Sequence, residues 1–436
     1  MDLKRKKELY NACDPFRTLE VDDTRIVDLD NLKDRDGKPI NIRGEQWAHS
    51  MFTDFAYSDK PICKYFSGYT GSGKTTELKR LEKMLIENDY LPVYIDSLDF
   101  FDLSNEIDAI DIHIAIIYSV MQKIAIAENK DSNSLIEEDN GYFSKLVKFL
   151  SSDVGLEKIN VNTGVAKFVF NMKQDTALRR RIRTNITDRI STFKTEIFEE
   201  FKKLNERAKE IKPNGLVVIV DSLEKLAGTS SNWDEVVKSA ERVFDHQHQN
   251  ISLPVHSIYT APTFLVTKGV SLDFLPVIKV RSRKDKGKEE GEVYDNGVDA
   301  LSSIIKKRID EDALIEIFDK NYDEHLREII LFCGGLTRDI LKIMQKFIKL
   351  DEFPATIDDK ENIFAGVKNH FKDSIFEDDY SWLREIAKAN DYITPNDEKT
   401  FISERMFKNH VILRYRNHDR WYDLHPAVKE ILSSEE

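Results

Sequence analysis

The stretch from Phe66 to Thr76 constrains the fold of this chain most strongly. It reads Phe-Ser-Gly-Tyr-Thr-Gly-Ser-Gly-Lys-Thr-Thr, so four residues separate Gly68 from a Gly-Lys-Thr triplet. That spacing is typical of a phosphate-binding P-loop. An apolar run at 62–66 precedes the stretch, and leucines at helical spacing follow it. The sequence therefore predicts a strand, a P-loop and a helix in direct succession.

A P-loop binds phosphate with its backbone, because its glycines let N–H groups turn inward and the following helix adds the positive end of its dipole. We expect Lys74 to reach the β- and γ-phosphates of a nucleotide and the Thr75 hydroxyl to bind Mg²⁺. ATP and Mg²⁺ are the predicted cofactors. The residues predicted to contact the nucleotide are Gly68, Thr70, Gly71, Ser72, Gly73, Lys74, Thr75 and Thr76.

Bulk composition narrows the class of protein. A formal net charge of -13 over 436 residues argues against a general nucleic-acid coat or a membrane-surface protein. The three cysteines have no C-x-x-C spacing, which fits a reducing compartment. No signal-peptide pattern is visible at the N-terminus, and polar residues interrupt the most apolar run, 110–127. We expect a soluble, cytoplasmic protein whose 110–127 segment is a core helix.

Five apolar runs separated by helical patterns predict a parallel sheet with helices on both faces. We therefore predict the α/β class, with an ASCE P-loop parallel sheet core. Ligands bind at the carboxyl ends of such strands, where Gly68, Asp221 and Thr260 are expected. The predicted strands are Ile62–Phe66, Leu91–Ile95, Gly215–Asp221, Leu253–Thr260 and Leu275–Val280.

The chain between the P-loop and the third strand is longer than one crossover needs, since 147 positions separate Lys74 from Asp221. We interpret about 126–212 as an inserted helical hairpin. It carries a basic cluster that is either a solvated helix face or a contact for nucleic acid or a partner. The arginines of this cluster are Arg179, Arg180, Arg181 and Arg183.

Beyond the sheet, helical patterns predict a lid, and the last 80 or so residues predict a helix, a two-stranded hairpin and a closing helix. That order of elements favours a winged-helix-like domain. The predicted divisions are an N-terminal arm of polar, irregular chain (1–60), a P-loop ATPase core with the helical insertion (61–282), a helical lid domain (296–352) and a winged-helix-like domain (355–436).

Four residues outside the P-loop are candidates for the chemistry of ATP hydrolysis. Asp221 ends an apolar strand, and a carboxylate there either holds Mg²⁺ or caps the following helix. Ser222 follows it where many P-loop ATPases have a glutamate, so the first acid available to orient a water is Glu224, which can equally serve as a cap.

Thr260 and Arg338 are candidates for sensing the γ-phosphate. Thr260 stands at a strand end that Pro262 terminates, and an ordinary strand-end hydroxyl is the alternative. Arg338 begins a lid helix after Gly334-Gly335, where a guanidinium either bridges the phosphate or forms a surface salt bridge.

With these residues placed, the chain resembles the AAA+/STAND branch of P-loop ATPases. More narrowly, it is similar to prokaryotic members with an origin-recognition-like layout, often found in antiviral defence islands. The resemblance implies an ATP-driven switch that self-associates and controls a separate effector protein or a nucleic-acid transaction. It implies that Lys74 is the phosphate lysine, that Thr75 and Asp221 form the Mg²⁺ shell, and that Arg338 is the lid sensor. The matching segments are 68–78, 217–224, 259–262, 334–338 and 421–426.

Two departures from the family pattern, Ser222 and the large helical insertion, leave alternatives open. Ser222 in place of the usual second acid puts hydrolysis in question, so a nucleotide-bound scaffold without turnover is one alternative. The other is a DNA-binding initiator or loader that uses the winged helix and the basic cluster, which predicts strongly salt-dependent DNA affinity.

Overall fold

The structure is a computed structural model. It describes residues 1–34, 36–131, 179–180, 184, 190–229, 231–245, 250–285, 288, 290–394, 400–416 and 419–434. Most of the predicted insertion, and with it Arg181 and Arg183, lies outside the described residues.

The chain forms two compact units, each assembled from separate segments. Unit 1 contains Met1–Trp47, Gly68–Lys79 and Phe274–Glu436, and unit 2 contains Ala48–Ser67 and Arg80–Asp273. The domain boundaries predicted from the sequence remain predictions.

Five strands form one sheet in the order β2-β3-β4-β1-β5. The pairs β2 with β3, β3 with β4 and β4 with β1 are all parallel, as expected for strands joined by helical crossovers. The α/β class is therefore confirmed. The strands are β1 (Cys63–Gly68), β2 (Leu91–Asp96), β3 (Leu216–Asp221), β4 (His256–Ala261) and β5 (Asp273–Leu275).

Fourteen helices occur within the described ranges and are numbered in chain order. They are α1 (Leu3–Ala12), α2 (Trp47–Tyr57), α3 (Lys74–Glu87), α4 (Ala109–Ala127), α5 (Ile190–Ile211), α6 (Trp233–Val243), α7 (Asp295–Lys306), α8 (Glu311–Phe318), α9 (Tyr322–Phe332), α10 (Thr337–Ile348), α11 (Ile357–Lys372), α12 (Tyr380–Ala389), α13 (Thr400–Lys408) and α14 (Pro426–Ser434).

The core of unit 2 is centred on β3 and α4. Every residue of β3 is buried, which explains its continuous apolar sequence. By length and composition α4 could cross a membrane, but most of it is buried, and it packs against α5 and β2. Asp108 caps its N-terminus in a capping box with Asp111. This helix is therefore part of the hydrophobic core of unit 2.

Unit 1 contains a helix that was not predicted from the sequence. The predicted irregular arm contains α1, which packs against α10 and buries Leu9. The Gln345 side-chain amide also donates to the Tyr10 carbonyl at 3.0 Å. The prediction of irregular chain was wrong here, because residues far along the sequence supply the surface on which this short helix packs.

The fifth strand was predicted in the wrong place: β5 is Asp273–Leu275, so it ends where the predicted strand, Leu275–Val280, begins. Beyond it, the Val277 amide donates to the Arg414 carbonyl at 3.1 Å, and the Val280 carbonyl accepts from the Tyr294 amide at 2.9 Å. These backbone groups bond to loop and hairpin residues, so the apolar run to Val280 is buried without extending the strand.

The end of the chain follows the predicted order of elements. Helix α13 leads into the antiparallel strands β6 (Ile412–Arg416) and β7 (Arg420–Leu424), and α14 closes the chain. Tyr415 and Trp421 are paired across the hairpin, with ring centroids 4.4 Å apart. The hairpin contacts the turn between α9 and α10 through the Tyr415 hydroxyl, which donates to the Gly334 carbonyl at 2.7 Å.

Candidate nucleotide-binding site

The P-loop joins the last residue of β1, Gly68, to the first residue of α3, Lys74. Within it, the Ser72 amide donates to the Tyr69 carbonyl at 3.1 Å and closes a tight turn. The strand, loop and helix predicted from the motif are all present.

Lys74 is held across the loop by the loop's own backbone. Its Nζ atom donates to the Gly68 carbonyl at 2.8 Å and to the Tyr69 carbonyl at 3.1 Å, and the residue is only 4% exposed. An ammonium group carries three donors in a mobile arrangement. The lysine is thus held against the backbone of its own loop.

Arg338 lies directly against the P-loop within unit 1. Gly71 has φ of +86°, and a Cβ at this position would stand 2.3 Å from the Arg338 Cβ and 2.8 Å from its Nε. Only glycine combines that backbone conformation with so close a neighbour. The Arg338 guanidinium also lies over the Phe16 ring, 5.0 Å from its centroid. Two residues predicted separately, Gly71 and Arg338, are therefore in contact.

Arg43 is a residue of this loop environment that the sequence did not reveal. It is 2% exposed and forms an ion pair with Glu77 in the first turn of α3, with the N–O distance 2.5 Å. A guanidinium nitrogen lies 3.7 Å from the Cβ position of Gly73. No motif marks this arginine, since its partner Glu77 lies 34 positions away in the sequence.

Tyr69 connects the P-loop to the C-terminal part of unit 1. Its side chain is fully buried, and burial raises its pKa well above the usual value. Its ring meets His410 edge to face at 5.5 Å between centroids, and it meets Phe274 in the same way at 5.4 Å. The loop residue between Gly68 and Thr70 is therefore packed against the turn that precedes β6.

In unit 2, Asp221 ends β3 and is 3% exposed. Its Oδ1 accepts from the Ser222 amide at 2.7 Å, and its Oδ2 accepts from the Tyr94 hydroxyl at 2.5 Å. Burial, followed by the charge of Asp221, raises the Tyr94 pKa, so the phenol keeps its proton and acts as the donor. Each carboxylate oxygen of Asp221 thus accepts a hydrogen bond that restricts its orientation.

Glu224 and Thr260 occupy different environments in unit 2. Glu224 is half-buried in a short 3-10 turn, Leu223–Lys225, which follows Ser222 in a left-handed conformation with φ of +70°. Thr260 is fully buried on β4, and its hydroxyl donates weakly to the Val220 carbonyl at 3.5 Å. Their predicted roles toward the γ-phosphate remain predictions.

The basic cluster requires a correction. Arg179 is 2% exposed, so this side chain is not available on a surface for nucleic acid. Its charge instead lowers the pKa of Asp102, after the larger effect of hydrogen bonds from Ser104. Arg180 is exposed, with an ion pair to Glu106 at 3.6 Å.

The residues predicted to hold Mg²⁺ supply the oxygen ligands that this ion prefers. Thr75 is the second residue of α3 and offers a hydroxyl. Asp221 offers a carboxylate, which accepts hydrogen bonds from the Ser222 amide and the Tyr94 hydroxyl. The chemistry of the donors therefore fits the ion. Among the described residues, no group of three or more His, Cys, Asp or Glu side chains could hold another metal.

No protein-family model matches this chain, and no curated protein matches it. Among solved structures, the chain is similar to the ORC2 protein of Aeropyrum pernix, described as ADPNP–ADP complexes. The two sequences are 13% identical, the match covers 89% of this chain and 93% of that one, and the TM-score is 0.31. The fold class stated above rests on the strands and the P-loop of this chain itself.

Proposed function

We propose that this protein is an ATP-binding switch of the AAA+ type, with ATP hydrolysis as its reaction. The observation that carries the proposal is the P-loop between β1 and α3, with Lys74 buried and bonded to two carbonyls of the loop. The sheet supports it, because β4 lies between the P-loop strand and the strand that ends in Asp221, as an ASCE core requires.

Each candidate residue has a defined task in this proposal. Lys74 binds the β- and γ-phosphates, and Arg338 reads the γ-phosphate from α10. Glu224 orients the attacking water, and Thr260 contacts the γ-phosphate from β4. Thr75 and Asp221 would hold Mg²⁺, which when bound would neutralise charge on the phosphate oxygens.

The contacts of the P-loop in unit 1 support a switch rather than a static binding site. Arg43 from the N-terminal segment, Arg338 from α10 and His410 from the turn before β6 all lie beside this one loop. A phosphate tail that reorders the loop changes the surroundings of all three segments. Nucleotide state is therefore coupled to the lid helices and to the C-terminal hairpin, provided that the ligand favours one arrangement over the other.

Self-association, control of a separate effector protein and a place in antiviral defence belong to this proposal as its finer part. They rest on the family resemblance of the sequence motifs. The alternative role as a DNA-binding initiator loses one of its predicted contacts through the burial of Arg179.

Calorimetry with ATP and Mg²⁺ tests the proposal. Lys74→Ala is expected to weaken ATP binding roughly 10- to 100-fold, because it removes charge-assisted hydrogen bonds worth about 1.5–3 kcal/mol. The matched control is Lys83→Ala, which removes an exposed lysine from the same helix and is expected to bind ATP like wild type. Wild-type protein that binds no nucleotide would overturn the proposal.

Turnover by the same proteins separates the switch from a scaffold. Glu224→Ala is expected to bind ATP normally and to lose most hydrolysis, whereas equal turnover would remove Glu224 from the mechanism. Identical hydrogen exchange at 409–416 with ATP and with ADP would contradict the switch while leaving ATP binding intact.

A further inference from the structure

Tyr94 is a residue in contact with Asp221 that no sequence motif marks. It lies on β2, opposite Ile219 in the register with β3, two residues before the strand ends. From there its hydroxyl reaches Asp221 Oδ2 at 2.5 Å. The phenol is a donor from the neighbouring strand to the acid assigned to Mg²⁺.

The hydrogen bonds of Asp221 fix its carboxylate in two directions. The Ser222 amide holds Oδ1 from the chain itself, and the Tyr94 hydroxyl holds Oδ2 from the adjacent strand. Asp221 lies opposite Asp96 at the end of β2 in the strand register. A donor on each oxygen restricts rotation of the Asp221 carboxylate.

We propose that Tyr94 is a positioning residue for the divalent cation: its hydroxyl holds the Asp221 carboxylate in the orientation that accepts metal-bound water. This inference rests on the proposed function, since it requires that Asp221 serves Mg²⁺. Outer partners of a metal-binding carboxylate affect metal affinity strongly, and their loss typically costs 10- to 100-fold. A tyrosine that only fills the core would have no influence on metal dependence.

The test measures ATP affinity by calorimetry over a series of Mg²⁺ concentrations and in EDTA. Tyr94→Phe keeps the ring and removes only the hydroxyl. It is expected to raise the Mg²⁺ concentration for half-maximal enhancement of ATP binding by roughly tenfold. In EDTA its ATP affinity is expected to equal that of wild type. Mn²⁺, which binds such oxygen sites more tightly than Mg²⁺, is expected to reduce the defect.

The matched control is Tyr118→Phe. Tyr118 is also a half-buried tyrosine of unit 2, and its hydroxyl accepts from the Gln122 amide at 2.7 Å. Its loss is expected to leave the Mg²⁺ dependence unchanged. If Tyr94→Phe shows the same Mg²⁺ curve as wild type, the positioning role is wrong although ATP binding stands. If wild type binds no ATP at any Mg²⁺ concentration, the proposed function fails first.

Discussion

Single glycines set the backbone geometry in the P-loop and just before α10 in unit 1. Gly335, just before α10, has φ of +90°, and a Cβ there would stand 1.8 Å from the Ile278 carbonyl oxygen. The neighbour is backbone and cannot rotate aside. The position therefore combines a left-handed conformation with a close approach, and both features require glycine.

Gly335→Ala is expected to lower the free energy of unfolding by about 3 kcal/mol, since it adds a steric clash to the strain of a left-handed alanine. Gly37→Ala is the matched control in the same unit. Gly37 has a similar φ of +79° but no neighbour within 4 Å of its Cβ position, so a loss of about 1 kcal/mol is expected. Denaturant unfolding measures both, and equal losses would show that the Ile278 contact is unimportant.

At the scale of elements, the closing helix α14 begins on a buried histidine. His425 Nδ1 accepts from the Ala427 amide at 3.1 Å, and its ring lies 4.5 Å from that of Phe371. Burial lowers the His425 pKa to about 4. The charge of Asp339 raises this pKa and the charge of His410 lowers it, but both effects are smaller than that of burial. The helix start is thus built around a neutral imidazole.

This pKa gives the stability of unit 1 a defined pH dependence. In the unfolded chain His425 has a pKa of 6.5 and binds a proton below that pH, whereas in the folded chain it stays neutral down to about pH 4. The free energy of unfolding therefore falls as the pH drops from 6.5 to about 4. The loss attributable to His425 is about 3 kcal/mol. His425→Asn retains a capping acceptor and is expected to flatten this part of the pH profile. Parallel stability curves for the two proteins would contradict the assignment.

Elements whose signal is local could be predicted from the sequence. The P-loop, strands β2 and β3, and the helix–hairpin–helix at the C-terminus follow from apolar runs, glycine spacing and turn residues. Helix α1 was missed because its packing surface comes from α10, far along the chain. The position of β5 was wrong because an apolar run shows that residues are buried, but not which backbone groups they pair with.

The candidate site divides in the same way. Glycine spacing located the P-loop and Lys74, since those residues adjoin in sequence. Arg43, Tyr94 and the contact of Tyr69 with His410 depend on segments that are distant along the chain. Their residue types are ordinary, and only the tertiary structure gives them a place beside the loop or the acid.

At the scale of the whole molecule, the chain passes between the two units four times. Unit 1 needs both its first 47 residues and its last 163. Contacts between these segments include the Lys6 ammonium with the Leu350 carbonyl and the Arg416–Glu45 ion pair. A cut at residue 274, where the chain returns to unit 1, therefore does not separate a complete unit.

A fragment of residues 274–436 is expected to lack a cooperative unfolding transition, because the surfaces that pack on α1 and the P-loop stay exposed. A fusion of 1–47 to this fragment is expected to recover part of the transition. Circular dichroism during thermal unfolding measures both proteins. A sharp transition in the bare fragment, at the melting temperature of the full chain, would contradict the interdependence of these segments.

Unit 1 is made of three segments that are separated in the sequence, so the order of synthesis affects when it can fold. The ribosome synthesises α1 first, yet α10, on which α1 packs, is translated more than three hundred codons later. At about 5–20 residues per second, the nascent amino-terminal segment waits on the order of ten seconds to a minute for its partners. During that interval unit 2, which ends at Asp273, can fold its core. Synthesis from the N-terminus therefore favours an order in which unit 2 folds first and the P-loop, as part of unit 1, reaches its final structure last.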